Sequence, residues 1–207
     1  MRTLLINEPE NLNHWEKAFN DYLFERINTR YIEPISAIEK IEKNIGKGFS
    51  IVTIYCSLIE FFESLNKCYQ LIGRNYVDKN NMKIRSVRNF ETSGIGKLLS
   101  NKEIFIDFLC ENPPFKNDFT EQIAECFYQD VRCSILHQAE TKSNWIIKKD
   151  NKNNKIIEIS GDKYTLYWIP FKKALKNYIN IVYKKKLLSD KNIQGNFIFK
   201  FDKISNL

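Results

Sequence analysis

The 207-residue chain predicts a mainly α fold, a helical bundle with a small antiparallel β-meander inserted before the last long helix. Three observations predict it. Apolar residues recur at helical spacing from about residue 13 to 140, and again from 170 to 188. Between these stretches, near 144–168, the pattern changes to short β-type runs separated by turn residues. A composition of 43% apolar and 14% aromatic residues is enough for one buried core, so a single domain over 1–207 is expected.

Asn13 and Glu16 read as a capping box ahead of W-E-K-A-F-N-D-Y-L-F-E-R-I, in which Trp15, Phe19, Tyr22, Leu23 and Ile27 keep one face apolar. Pro34 opens a second helix, because proline suits a first turn and pushes Glu33 out of helical geometry. Gly46 and Gly48 stop it. The third segment, 49–73, has the clearest period. Val52, Tyr55, Cys56, Ile59, Phe62, Leu65, Tyr69 and Ile72 share a face up to Gly73, which predicts a central, largely buried helix.

Residues 74–93 read as a long polar connection carrying Arg74, Lys79, Lys83, Arg85 and Arg88. A shorter helix is expected near 96–110, then a turn at N-P-P-F. Asp118 with Glu121 reads as a capping box for a helix through Phe127, Val131, Ile135 and Leu136 to about Ala139. The β-type runs are N-W-I-I-K-K, K-I-I-E-I-S and K-Y-T-L-Y-W, and Gly161-Asp162 forms a two-residue hairpin turn. Pro170 starts the last long helix, and N-F-I-F-K-F, 196–201, reads as a terminal strand. There are no internal repeats.

The formal net charge of +7 invites a polyanionic partner. Lysine supplies 25 of the 32 basic residues, however, whereas the arginine fork is the better match to phosphate. Cys56, Cys68, Cys110, Cys126 and Cys133 form no C-x-x-C pair and read as small buried hydrophobes in a reducing compartment. The first ten residues have too short an apolar run for a signal peptide. Glu60 and other polar residues break the apolar segment Ile51 to Phe62, so no membrane span is expected. These features predict a cytoplasmic protein.

Only two histidines, His14 and His137, are present for acid–base chemistry near neutral pH. V-R-C-S-I-L-H-Q sets Arg132 five residues before His137, close to an expected helix end. On an ideal helix the two side chains stand about 140° apart, so they share a cleft only if the helix ends or distorts there. Cys133 and His137 could reach one metal ion, but no second ligand pair is spaced for a site, so no metal is expected. A Cys133–His137 nucleophile couple lacks an orienting partner. S-G-I-G-K, 93–97, has Glu91 where a phosphate loop needs glycine. Lys184, Lys185 and Lys186 read as complements to a helix C-terminus.

F-Y-Q-D-V-R-C-S-I-L-H-Q-A-E, 127–140, resembles the signature of the HEPN superfamily, an arginine followed after four to six residues by histidine near a helix end. I-Y-C-S-L-I-E-F-F-E-S-L is similar to the central helix of many HEPN proteins. The β-meander followed by I-P-F-K-K-A-L-K-N-Y is similar to the tail of some bacterial members. The resemblance covers the chain from about residue 49. Family members often carry Asn, Asp or His directly after the arginine, where this chain has Cys133.

The resemblance implies a metal-independent, cofactor-free endoribonuclease of a bacterial phage-defence or toxin–antitoxin system. A 2′-hydroxyl attacks the adjacent phosphate, His137 moves protons, and Arg132 stabilises the developing charge. One histidine cannot serve as base and acid together, so a two-fold homodimer with two Arg132/His137 helix ends across one groove is implied. Arg88, Lys142 and Lys148 are candidates for gripping the RNA backbone. An antitoxin or sensor is a further expected partner. The alternative is a non-catalytic HEPN module that binds RNA or a protein, and a third reading makes the pair purely structural.

Overall fold

The computed structural model describes residues 2–42, 46–72, 75–78, 99–142 and 144–205. Arg88, the greater part of the polar connection, and the S-G-I-G-K stretch lie outside the described residues. In chain order the elements are helix α1 (Arg2–Asn7), helix α2 (residues 12–40) and helix α3 (Lys47–Asn66). Strands β1 (Tyr69–Ile72), β2 (Asn75–Asp78) and β3 (Leu99–Ser100) follow, then helices α4 (Asn101–Glu111) and α5 (residues 121–138). Strands β4 (Trp145–Lys148), β5 (Ile157–Ser160) and β6 (Lys163–Tyr167) lead into helices α6 (residues 168–189) and α7 (Lys191–Ser205). The fold is mainly helical, as expected.

The rest is arranged around α3. It buries Ile51, Val52, Tyr55, Cys56, Leu58, Ile59, Phe62 and Leu65, more than one face can hold, and it touches α2, α4, α5, α6 and α7. By length and composition this helix could cross a membrane, but its apolar side chains are spent on the protein core. Aromatic rings fill the space around it. Phe62 meets Tyr178 and Tyr183 edge-on at 5.5 and 5.3 Å, and Phe108 meets Tyr178 at 4.7 Å. Phe115 and Phe127 close on Phe171 at 5.7 and 5.8 Å, which links the turn after α4 to α5 and α6. Such contacts add about 0.5–1.5 kcal/mol per pair beyond the area they bury.

Two segments adopt a different secondary structure from the expected one. The helix expected over 49–73 ends at Asn66, because Cys68 takes a left-handed φ of 54° that an α-helix cannot continue. Tyr69 and Ile72 therefore lie in β1, not on the helix face; β1 pairs antiparallel with β2, and β2 with β3. Residues 196–201 are helical within α7 rather than a strand. Phe197 and Phe201, one turn apart, stack at 4.4 Å, and Phe197 also meets Trp15 at 6.3 Å. N-F-I-F-K-F alternates well enough for a strand, but these i,i+4 contacts favour the helix.

The small sheet before α6 is mixed, not an antiparallel meander. Its order is β4-β6-β5, with β4 parallel to β6 and β5 antiparallel to it. Trp145 stacks on its register partner Tyr164 at 4.7 Å, which holds β4 beside β6. The Gly161-Asp162 turn does join β5 to β6, with Gly161 at φ 62°. Pro170 lies in the first turn of α6, as expected.

Helix boundaries shift in four places. Pro34 opens nothing, because α2 is already running when it arrives, and a π-helical stretch at Asn28–Ile32 precedes it. Gly46, at φ 83°, caps the start of α3, and Gly48 lies inside α3. A Cβ at Gly48 would stand 2.7 Å from Ile147 Cγ2, so glycine there permits close approach of α3 and the sheet. Asn11, not Asn13, caps α2 by accepting from the Asn13 amide, and Thr120, not Asp118, caps α5. The reciprocal capping box belongs to Ser100 and Glu103 at α4.

Phe108→Ala should cost about 3–5 kcal/mol, since it opens a cavity in the ring cluster that cannot collapse easily. Urea unfolding would show a lower midpoint at unchanged slope.

Candidate active site at the end of α5

Helix α5 carries the Arg132/His137 pair, and its regularity breaks where the pair begins. Residues Tyr128–Cys133 form a π-helical stretch, and Ser134 Oγ donates to the Gln129 carbonyl at 3.1 Å. The helix then stops at Gln138. Ala139 takes a left-handed φ of 57°, and its N–H donates to the Ile135 carbonyl at 3.1 Å. Both features that a shared cleft requires, a distortion and a helix end, are therefore present.

Arg132 is held from α3. Its Nε and Nη2 lie 2.9 and 2.8 Å from the same oxygen, Glu60 Oε1. The Arg132 and Glu60 side chains are only 16% and 11% exposed, so this is an ion pair taken largely out of water. The guanidinium also lies over the Tyr128 ring at 5.3 Å, and Nη1 has only a long 4.0 Å contact with Cys133 Sγ. Two of the three guanidinium nitrogens are thus engaged by a carboxylate, and Nη1 is not.

A cleft of about 210 Å³ lies beside this pair. Thr53, Cys56 and Ser57 of α3 and Arg132, Ile135 and Leu136 of α5 line it. Leu136 at its margin is half exposed. His137 follows it in sequence and is exposed, with no hydrogen-bond or charged partner among the described residues. Arg132 and His137 do not touch within one chain. The histidine is not packed in the core, and the cleft lining stops one residue short of it.

The electrostatics follow from burial. Loss of water pushes the Glu60 carboxyl above the usual carboxylate range, and Arg132 pulls it only part of the way back. Burial works against the Arg132 charge, but Glu60, Tyr128 and Cys133 outweigh it and hold the guanidinium above its ordinary value. Burial likewise pushes the Tyr128 hydroxyl up to about 12, so it stays protonated at neutral pH. The Cys56 thiol, beside the cleft, is pushed well above its usual range by burial and is inert as a nucleophile. Cys56, Cys110, Cys126 and Cys133 form no disulfide.

The other expected site residues separate. Lys142 is committed to Asp130: its Nζ lies 2.6 Å from Oδ1, and its backbone N–H donates to the Asp130 carbonyl at 3.0 Å. That bond raises the ammonium's pKa, and the residue fastens the chain after α5 back onto the π-helical stretch. Lys142 is a clasp before it is a phosphate ligand. Lys148 stands exposed at the end of β4. His14 leans on Glu8, with 3.5 Å between Nδ1 and Oε2, in the first turn of α2. The lysines at 184–186 do more than face a helix end, for Lys186 donates to Asn112 Oδ1 at 2.8 Å.

Glu60 and Tyr128 are the site residues that the motif did not name. A signal for Glu60 existed, a lone carboxylate inside an apolar helix, since such groups are rarely buried unless paired. Among known proteins, no family, no curated protein and no solved structure matches this chain.

Two outcomes follow. Because Glu60 binds its proton more tightly folded than unfolded, its contribution to stability is fully present below about 4.5 and fades as pH rises through the folded value. Glu60→Gln removes that slope, so the stability of the variant relative to wild type should increase between pH 4.5 and neutrality. Thermal unfolding across that range checks the sign, and a relative decrease would show that Arg132 outweighs burial. Separately, Ala139→Gly should raise stability by about 0.5–1 kcal/mol, because glycine adopts a positive φ without strain.

Proposed function

We propose that the protein is a HEPN-type, metal-independent endoribonuclease, acting as a homodimer in the cytoplasm in a phage-defence or toxin–antitoxin setting. The observation that carries this reading is the guanidinium of Arg132, fixed at a cleft by Glu60 with Nη1 left free of any carboxylate, while His137 stands exposed at the end of the same helix. A phosphate entering there would meet a pre-positioned cation, which lowers the cost of organising the site during reaction. The imidazole would accept the proton of the attacking 2′-hydroxyl, or return one to the leaving 5′-oxygen. Neither step needs a metal ion.

One chain holds one such histidine, out of contact with its arginine. A two-fold pairing of α5 ends would bring a second His137 and a second Arg132 to the same groove and divide the base and acid roles between copies. The exposed Leu136 beside His137 supplies apolar surface for such a contact. DNA lacks the attacking hydroxyl and should not be cut.

The second reading, a HEPN module that binds RNA or protein without cutting, draws on one specific observation. Glu60 already neutralises much of the Arg132 charge, as it would in a purely structural pair.

Incubation of labelled single-stranded RNA with the protein in EDTA separates the two. The ribonuclease reading expects 2′,3′-cyclic phosphate ends, and losses of at least about a hundredfold in His137→Ala and Arg132→Ala, the scale of one general base or one charge-stabilising donor. A well-folded dimeric wild type that leaves RNA intact, or a His137→Ala variant that cuts as well, rules the reading out.

A further inference from the structure

Residues 144–173 hold seven lysines against three carboxylates. Among the described residues, only Lys172 of the seven is committed to a carboxylate, that of Glu39. Lys148, Lys149, Lys152, Lys155, Lys163 and Lys173 are all exposed. Of the local acids, Glu158 accepts from the Tyr167 hydroxyl at 2.5 Å, and Asp162 lies in the far hairpin turn. Asp150, exposed in the turn itself, and Asp118, within electrostatic reach of Lys155, remain as the nearby counter-charges.

Four of the lysines meet at one place, the connection from β4 to β5. Its backbone is held by Asn151. Asn151 Oδ1 accepts from the amides of Asn153 and Lys155 at 3.0 and 3.1 Å, and Nδ2 donates to the Lys155 carbonyl at 2.7 Å. The Ile169 amide donates to the Lys149 carbonyl at 3.0 Å, and Lys173 Nζ donates to Asn154 Oδ1 at 3.1 Å from α6. Ile156 and Ile157 are buried immediately after the turn. The turn therefore displays Lys149, Lys152 and Lys155 from a braced backbone, and a ligand need not order it.

The strand leading to the turn starts at the candidate site. Trp145, the first residue of β4, packs on Phe127 at 5.6 Å, one residue before the π-helical stretch that carries Arg132. The four residues of β4 span about 13 Å. We infer that Lys149, Lys152, Lys155 and Lys173 form a grip for the phosphate backbone of an RNA strand that reaches Arg132, replacing Lys142 in that role. The inference rests on the RNA reading above. Each ammonium is a point charge suited to phosphate oxygens, and together they neutralise backbone charge without reading bases.

The test is binding of a fluorescent, single-stranded 2′-O-methyl RNA to the full chain, which prevents cleavage by removing the nucleophile. Lys149→Gln/Lys152→Gln/Lys155→Gln should weaken binding about tenfold or more at 0.1 M salt. Its salt dependence should be shallower by about 2 in log–log slope, at about 0.7 per lost phosphate contact. Lys17→Gln/Lys40→Gln/Lys185→Gln, an equal charge change on exposed residues elsewhere, should change affinity less than about twofold. Equal losses in both triples, no loss in the first, or no binding by wild type overturns the grip. So does displacement of the RNA by polyglutamate of equal charge, which would assign the surface to an acidic protein. Cleavage of unmodified RNA is scored separately. Wild type that binds but never cuts removes the ribonuclease reading and leaves the grip standing. Cutting with an unchanged KM in the turn variant does the reverse.

Discussion

The bond between Glu60 and Arg132 constrains everything else at the candidate site. It joins the central helix α3 to the distorted part of α5, across 72 residues of sequence, through one carboxylate oxygen shared by two guanidinium nitrogens. Both groups are largely removed from water, so neither tolerates loss of the other, and the arginine cannot swing freely into solvent. An arginine on a surface helix samples many rotamers. This one is limited to a small set by Glu60 on one side and the Tyr128 ring on another. The π-helical stretch belongs to the same arrangement, because it sets where along α5 the side chain meets α3.

A second carboxylate on α3 has a comparable part in the fold. Glu63, three residues on, accepts from Asn66 at 3.0 Å and from Asn112, the residue that caps the end of α4, at 3.2 Å through Oε2. Lys186 of α6 then donates to Asn112, Asn66 exchanges hydrogen bonds with the Tyr178 hydroxyl, and Asn196 of α7 donates to the Asn66 carbonyl at 2.6 Å. Burial raises the Glu63 carboxyl as it does that of Glu60. One polar network thus ties α4, α6 and α7 to α3, while the Glu60 bond ties α5. Glu63 Oε1 lies 3.3 Å from the Lys67 ammonium, and connected networks of this kind favour one packing over its near alternatives.

The sequence revealed what depends on local period and local turns. The central place of α3 was legible in Val52, Tyr55, Cys56, Ile59, Phe62 and Leu65, and the end of α5 near Ala139 in the loss of that period. Pro170 and Gly161-Asp162 fell where their fixed or permissive φ requires. Elements settled by distant contacts were not legible. The place of β4 beside β6 depends on Trp145 meeting Tyr164, and the helical state of 196–201 on Phe197 meeting Trp15. Helix caps slipped by two residues because two capping residues stand two apart at each start, Asn11 and Asn13 at one and Asp118 and Thr120 at the other, and only backbone geometry selects between them. At the candidate site, Arg132 and His137 were visible as a spacing. The diversion of Lys142 to Asp130 was not, since the loop that returns it carries no pattern of its own.

A double-mutant cycle on Glu60 and Arg132 tests this account most directly. Unfolding free energies would be measured for Glu60→Gln, Arg132→Gln and the pair at neutral pH. If the bond is the constraint described, Arg132→Gln loses stability and the double variant departs from the sum of the two single changes by a coupling of about 1–3 kcal/mol. Losses that add within about 0.5 kcal/mol would contradict it. Arg132 would then be held by nothing in particular, and no pre-positioned cation would stand at the cleft.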